Sequence, residues 1–142
     1  MYANREDMVR AFGERECVSL TDRNYTGQID DDVLNGALVQ ASAEIDGYLC
    51  GRYPVPWADE PRVLVGRCCN IARYLLCGSE TQMTAEIRER YEDTVRYLEK
   101  VASWRINLGR TTTGEVVKSG TGARMVSGGR VFGRDQTGGG SF

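Results

Sequence analysis

The chain has 142 residues, five cysteines, no histidine and a formal net charge of −2. That length supplies one domain's worth of core, and the missing histidine removes the commonest general base and metal ligand. No apolar run approaches the ~20 residues that a membrane-spanning helix needs, so a soluble protein with no membrane partner is expected.

Neither composition nor charge is uniform. Residues 109–142 hold ten of the 17 glycines, and beyond Gly109 the sizeable apolar side chains are only Val116, Val117, Met125, Val126, Val131, Phe132 and Phe142. A compact core cannot be built from them. The expected organisation is therefore a helical domain over 1–108 and an extended glycine-rich arm over 109–142. Charge divides at the same place. The body to Gly109 has 13 basic and 18 acidic residues, net −5, and residues 110–142 have five basic and two acidic, net +3. An acidic body argues against tight non-specific binding of nucleic acid. The odd number of cysteines, mostly on apolar stretches, reads as buried thiols in a reducing cytoplasm.

Asn4 is placed to cap a short helix from Arg5 to Phe12 that ends at Gly13. Glu14 to Leu20 reads as a connection and Thr21 to Gly27 as a polar turn. The helix that organises the body starts after Asp30, its N-cap, with Asp31 and Asp32 in the first turn where the helix dipole favours anions. Its core stripe is Val33, Ala37, Leu38, Ala41, Ile45, Tyr48 and Leu49. Asn35, Gln40, Ser42, Glu44 and Asp46 fall on the other faces. Gly51 ends it, and Pro54 and Pro56 force an extended elbow on which Trp57 packs. A third helix over 62–77 buries Leu64, Cys68, Ile71, Ala72, Leu75 and Leu76. A fourth over 82–106 buries Met83, Ile87, Tyr91, Val95, Leu98 and Ala102, and its length, roughly 37 Å, would let it project towards a neighbour. In the arm, Glu115 to Lys118 and Arg124 to Ser127 read as short strands, which need support from another surface.

Chemistry is sparse. Asp22 to Asp30 matches a calcium loop at its first nine positions, but Val33 stands where the bidentate glutamate belongs. A polar turn before an Asp-capped helix is the simpler reading. Cys68 and Cys69 are adjacent and have no zinc spacing. A DNA-reading helix wants basic and amide groups near an exposed N-terminus, and only Arg62, Arg67 and Arg73 of the third helix approach that. No enzyme activity, metal or cofactor is expected. The arm cannot order itself, so its anchors Val116, Val117, Val131, Phe132, Arg134 and Phe142 are expected to bind a neighbour, with strand addition as the natural mode. Arg52, Tyr53 and Trp57 of the elbow are the second candidates for subunit contacts.

Several segments in order resemble a family of Mu-like phage and prophage proteins. They are Tyr2-Ala3, Phe12 to Glu16, Leu20-Thr21-Asp22, Ala43 to Leu49, Gly51-Arg52-Tyr53, Ile71 to Tyr74, Arg88 to Asp93, Arg130 to Asp135 and the final Phe142. Gln136 to Ser141 depart from that pattern. The resemblance implies an all-α head–tail connector (adaptor), which agrees with the four helices read from the residues and with an arm whose short β-strands would form on assembly. Such proteins form a ring, usually a dodecamer, in the virion neck beneath the portal protein. A tail terminator or other neck protein docks on the ring, and genomic DNA passes through its lumen. No catalytic residues come with the resemblance. A small DNA-binding packaging factor and a calcium-binding regulatory module are the readings from other classes.

Overall fold

The computed structural model describes residues 1–78 and 82–117. Among them are five α-helices and no strand beyond one isolated β-bridge: α1 (Arg5–Phe12), α2 (Glu14–Thr21), α3 (Asp31–Leu49), α4 (Val63–Leu76) and α5 (Ala85–Ala102). The fold is all-α, as expected, with one helix more than the four expected.

The added helix is α2. Its eight residues are mostly polar, yet Cys17, Leu20 and Thr21 are buried at helical spacing. Gly13 makes the corner between α1 and α2 with a φ of +87°, a conformation open to glycine and strained for other residues. Thr21, read as the start of a turn, is buried. Its hydroxyl donates to the Cys17 carbonyl at 2.8 Å and accepts from the Asp30 amide at 3.1 Å, fastening the following loop to the helix.

The bundle is α3, α4 and α5, with α1 and α2 packed across α4 and α3. Helix α4 runs antiparallel to both partners: Ser42 meets Cys68, Asn70 meets Thr94, and Tyr74 stacks on Tyr91 at 4.0 Å. The core holds Met8, Leu34, Leu38, Ile45, Leu49, Leu64, Ile71, Leu98 and Val101, all fully buried. The stripe of α3 is rotated slightly from expectation. Leu34 is buried where Val33 was expected, and Ser42 turns inward to accept the Tyr2 amide at 3.1 Å. Burial pushes the Cys68 thiol up, and the Cys69 thiol to about 12, so both are neutral packing groups.

Helix α5 is shorter than the sequence predicts. It ends at Ala102, so its 18 residues span about 27 Å, and no long projection exists. The amides of Arg105 and Ile106 close the end on the Lys100 carbonyl, and a side chain far away in sequence holds it there. Arg52 at the end of α3 donates through Nη1 to the carbonyls of Val101 and Ile106, which draws residues 103–106 back over the helix end. Trp104 takes a φ of +65° in that reversal, and its ring lies 4.3 Å from the Arg52 guanidinium carbon.

Candidate docking surface at the elbow end

Because α4 is antiparallel to α3 and α5, the bundle has two unlike ends. One carries the start of α3, the end of α4 and the start of α5. The other carries the elbow (residues 50–62), the end of α5 and the segment after it.

At the first end, carboxylates meet backbone amides. Asp30 Oδ1 accepts from the amides of Asp32 at 3.1 Å and Val33 at 3.2 Å, the expected N-cap. Asp22 accepts from the amides of Thr26 at 2.8 Å and Gly27 at 2.6 Å and from the Thr26 hydroxyl. Those amides, Thr26 first, hold its carboxyl below the usual carboxylate range. The residue at the first position of the calcium-like loop thus works as a staple on its own loop. An open groove of about 710 Å³, bordered by Leu20, Leu76 and Tyr25, lies beside it.

The elbow end is built from aromatic and guanidinium groups. Arg52 is buried between Tyr53, 4.8 Å from its ring centroid, and Trp104. The Tyr53 hydroxyl accepts from the Leu108 amide at 3.3 Å and donates to Asn107 at 3.4 Å. Trp57 packs on Tyr53 with centroids 5.0 Å apart and donates its indole N–H to the Tyr2 hydroxyl at 2.9 Å. That hydroxyl in turn donates to Asp46; burial and the Asp46 carboxylate both push the phenol well above its ordinary value. Arg52 and Tyr53 are therefore fasteners within the chain and offer a neighbour little surface. Trp57 is only half-buried.

Residues 109–117 turn back on themselves and rest on this end. Thr111 donates to the Glu115 carbonyl at 2.8 Å and Val117 to the Gly109 carbonyl at 3.0 Å, framing the antiparallel bridge of Arg110 with Val116. The strand expected at Glu115 to Lys118 is present only as this bridge. The hairpin leans on the elbow: a Cβ at Gly114 would come within 3.1 Å of Pro54, and Arg110 pairs with Asp59 at 2.9 Å. The helical body and the start of the arm are thus in direct contact. Val131, Phe132, Arg134, Phe142 and the Arg124 to Ser127 strand lie outside the described residues.

Apolar surface collects at the elbow end. Among the described residues, seven large apolar side chains are exposed, and Met1, Val63, Trp104, Val116 and Val117 are at or beside this end, leaving Tyr25 and Val39 elsewhere. Met1 is placed there by its ammonium, 3.6 Å from Glu60. Trp104 is 61% exposed, Val116 52% and Val117 50%. Beside the hairpin is a cleft of about 380 Å³ with Pro61, Val63 and Leu108 among its lining and Asp59, Glu60, Arg62 and Arg110 around it. The sequence reading missed Trp104 and Leu108.

The α4 arginines are mostly committed inside the chain. Arg73 is buried, donates through Nε to Glu16 at 2.6 Å and lies over the Phe12 ring at 4.5 Å, and Arg67 lies over Tyr97 at 4.3 Å. They do not form the exposed basic row that a DNA-reading helix requires. No helix among the described residues is long and apolar enough to cross a membrane.

Comparison with known proteins decides the family. The model of the bacteriophage Mu Gp36 family matches residues 2–127. The chain belongs to that family. It is 41% identical over 135 residues to the Mu-like prophage FluMu protein gp36 of Haemophilus influenzae, covering 95% of this chain and 94% of the relative. It is 38% identical over 109 residues to gene product J of Escherichia phage Mu, with 76% of each chain covered. The Gp36 match runs from the N-terminal strap that holds Tyr2 to residues past the hairpin, so it takes in both ends of the bundle.

Proposed function

We propose that this Gp36-family chain is a structural protein of the phage neck, a head–tail connector whose copies form a ring between the portal protein and the tail. The observation that carries this reading is the unequal finish of the bundle. One end is stapled by its own carboxylates and amides beside an open groove, and the other gathers most of the exposed large apolar side chains, Trp104, Val116 and Val117 among them, where a basic, glycine-rich segment departs. Exposed apolar side chains gathered at one end mark an interaction site. The membership of a Mu phage family supports placing that interaction in a virion. The role is architectural, not catalytic, and needs no cofactor. Its partners are further copies of the chain, the portal protein, and a tail terminator or other neck protein. The net-acidic body suits a conduit, because a repulsive lumen lets genomic DNA slide where a basic one would grip it.

Interrupting the gene tests this. Full heads and complete tails should accumulate unjoined, and full-length protein supplied in trans should restore joining. Protein ending at Val117 should fold and fail to restore it. Infective, joined particles made without the protein would contradict the reading.

A further inference from the structure

The elbow-end cleft and the Val116–Val117 edge face solvent in the single chain, and the same end is where the sequence continues. We propose that this surface is the docking site for residues 118–142 of a second copy, so that each copy's C-terminal segment covers the elbow end of the next. The inference rests on the ring reading for the identity of its occupant.

The receiving surface has three properties. Its apolar part, with Pro61, Val63 and Leu108 beside Val116 and Val117, is half-exposed or better at the valines. Among the described residues its backbone edge is open: the bridge uses the amide of Thr111 and the carbonyl of Glu115, with the amide of Val117 and the carbonyl of Gly109, which turns the N–H and C=O of Val116 outward. An unpaired, apolar edge is a template for another chain. Its rim holds Asp59, whose side chain is 71% exposed, and Glu60, at 44%.

The occupant matches each property. Residues 118–142 carry Lys118, Arg124, Arg130 and Arg134 against a lone Asp135, net +3, so their cations can share the exposed carboxylates of Asp59 and Glu60 with Arg110 and the Met1 ammonium, which already pair with them. Val131 and Phe132 sit between Arg130 and Arg134, an apolar pair with a cation on either side. The length is sufficient. Twenty-five residues reach roughly 80 Å when extended, against about 27 Å for the longest axis of α5, so the segment spans a neighbouring body. A contact from one patch to a different patch is heterologous, the kind of contact that builds a ring when its rotation closes. It also explains why the hairpin is pinned to the elbow by Pro54 and Asp59: the pinning gives the departing segment and the receiving edge a fixed relation.

Photocrosslinking in the full-length protein tests the inference. Unlabelled protein with p-benzoylphenylalanine in place of Phe132 is mixed with an equal amount of 15N-labelled wild-type protein, irradiated and digested with trypsin. The expected product joins the unlabelled peptide 131–134 to labelled peptide 53–62, 106–110 or 111–118. Val117→Asp in the labelled copy, an exposed position whose change leaves the core intact, should lower the yield several-fold. Links to unlabelled elbow peptides alone mean that each segment covers its own body, and links elsewhere mean another site; either overturns the inference. Electron microscopy of necks separates the two readings. A ring without this link overturns only the docking, and the link in a protein absent from the neck supports the docking and removes the neck role.

Discussion

The two ends of the bundle solve the same problem by opposite means. Each must satisfy backbone groups that a helix leaves unpaired. At the start of α3, Asp30 reaches amides two and three residues ahead, and Asp22 reaches amides four and five ahead. At the end of α5, the amides of residues 103–106 turn back onto the carbonyls of Glu99, Lys100 and Val101, and Arg52, 49 residues before Val101, adds a long-range cap with Trp104 stacked on it. The local solution leaves an end complete in itself. The long-range solution ties three segments into one platform and leaves apolar groups on top of it. A self-sufficient end and a platform end suit a subunit whose two ends meet different surroundings.

Substitutions at each end should separate these roles. The largest effect is expected from Arg52→Met, which takes the guanidinium from the carbonyls of Ile106 and Val101, leaving the latter only the Trp104 amide, and removes the support of Trp104. It should destabilise the chain by roughly 3 kcal/mol, read as a lowered urea midpoint. An unchanged midpoint would show that the α5 end caps itself. Asp30→Ala should cost about 1 kcal/mol by the same measurement, because only local amides lose their acceptor. Gly36→Ala and Gly47→Ala should each stabilise the body by up to about 1 kcal/mol, since a Cβ at either place meets nothing within 4 Å. If such a variant is more stable yet fails to join heads to tails, its helix face contacts a partner.

The smallest effect is a pH dependence at Asp22. Its folded carboxyl titrates below the unfolded value, so between the two the unfolded chain binds more protons. The stabilisation is complete above the usual carboxylate range and fades as pH falls through the folded value. Asp22→Asn should therefore flatten the urea midpoint against pH on the acid side. A midpoint profile parallel to that of the wild type would mean that the staple does not form.

The same contrast explains what was legible in the sequence. The starts of α1 and α3 and the Gly13 boundary were readable because Asn4, Asp30 and Gly13 act on residues within one turn. Helix α2 was not, since its polar octapeptide becomes helical by burying Cys17 and Leu20 against other helices. The end of α5 was hidden for a stronger reason: periodicity continues past Ala102, while the chain reverses at Trp104 and Arg52 arrives to hold the reversal. Arg73 looked like a surface cation, and its burial depends on Glu16, Glu86 and Phe12 arriving from three other helices. At the candidate surface, Val116 and Val117 were found from composition alone. The cleft beside them needed Leu108 and Arg110 to be brought against Asp59 and Pro61.

Electron cryomicroscopy of the neck in intact particles tests the connector role most directly. The expected density is a closed ring of this five-helix body on the tail side of the portal, each elbow end lying against the next copy. A neck whose density accommodates no copy of the body, or only isolated copies without mutual contact, would contradict it.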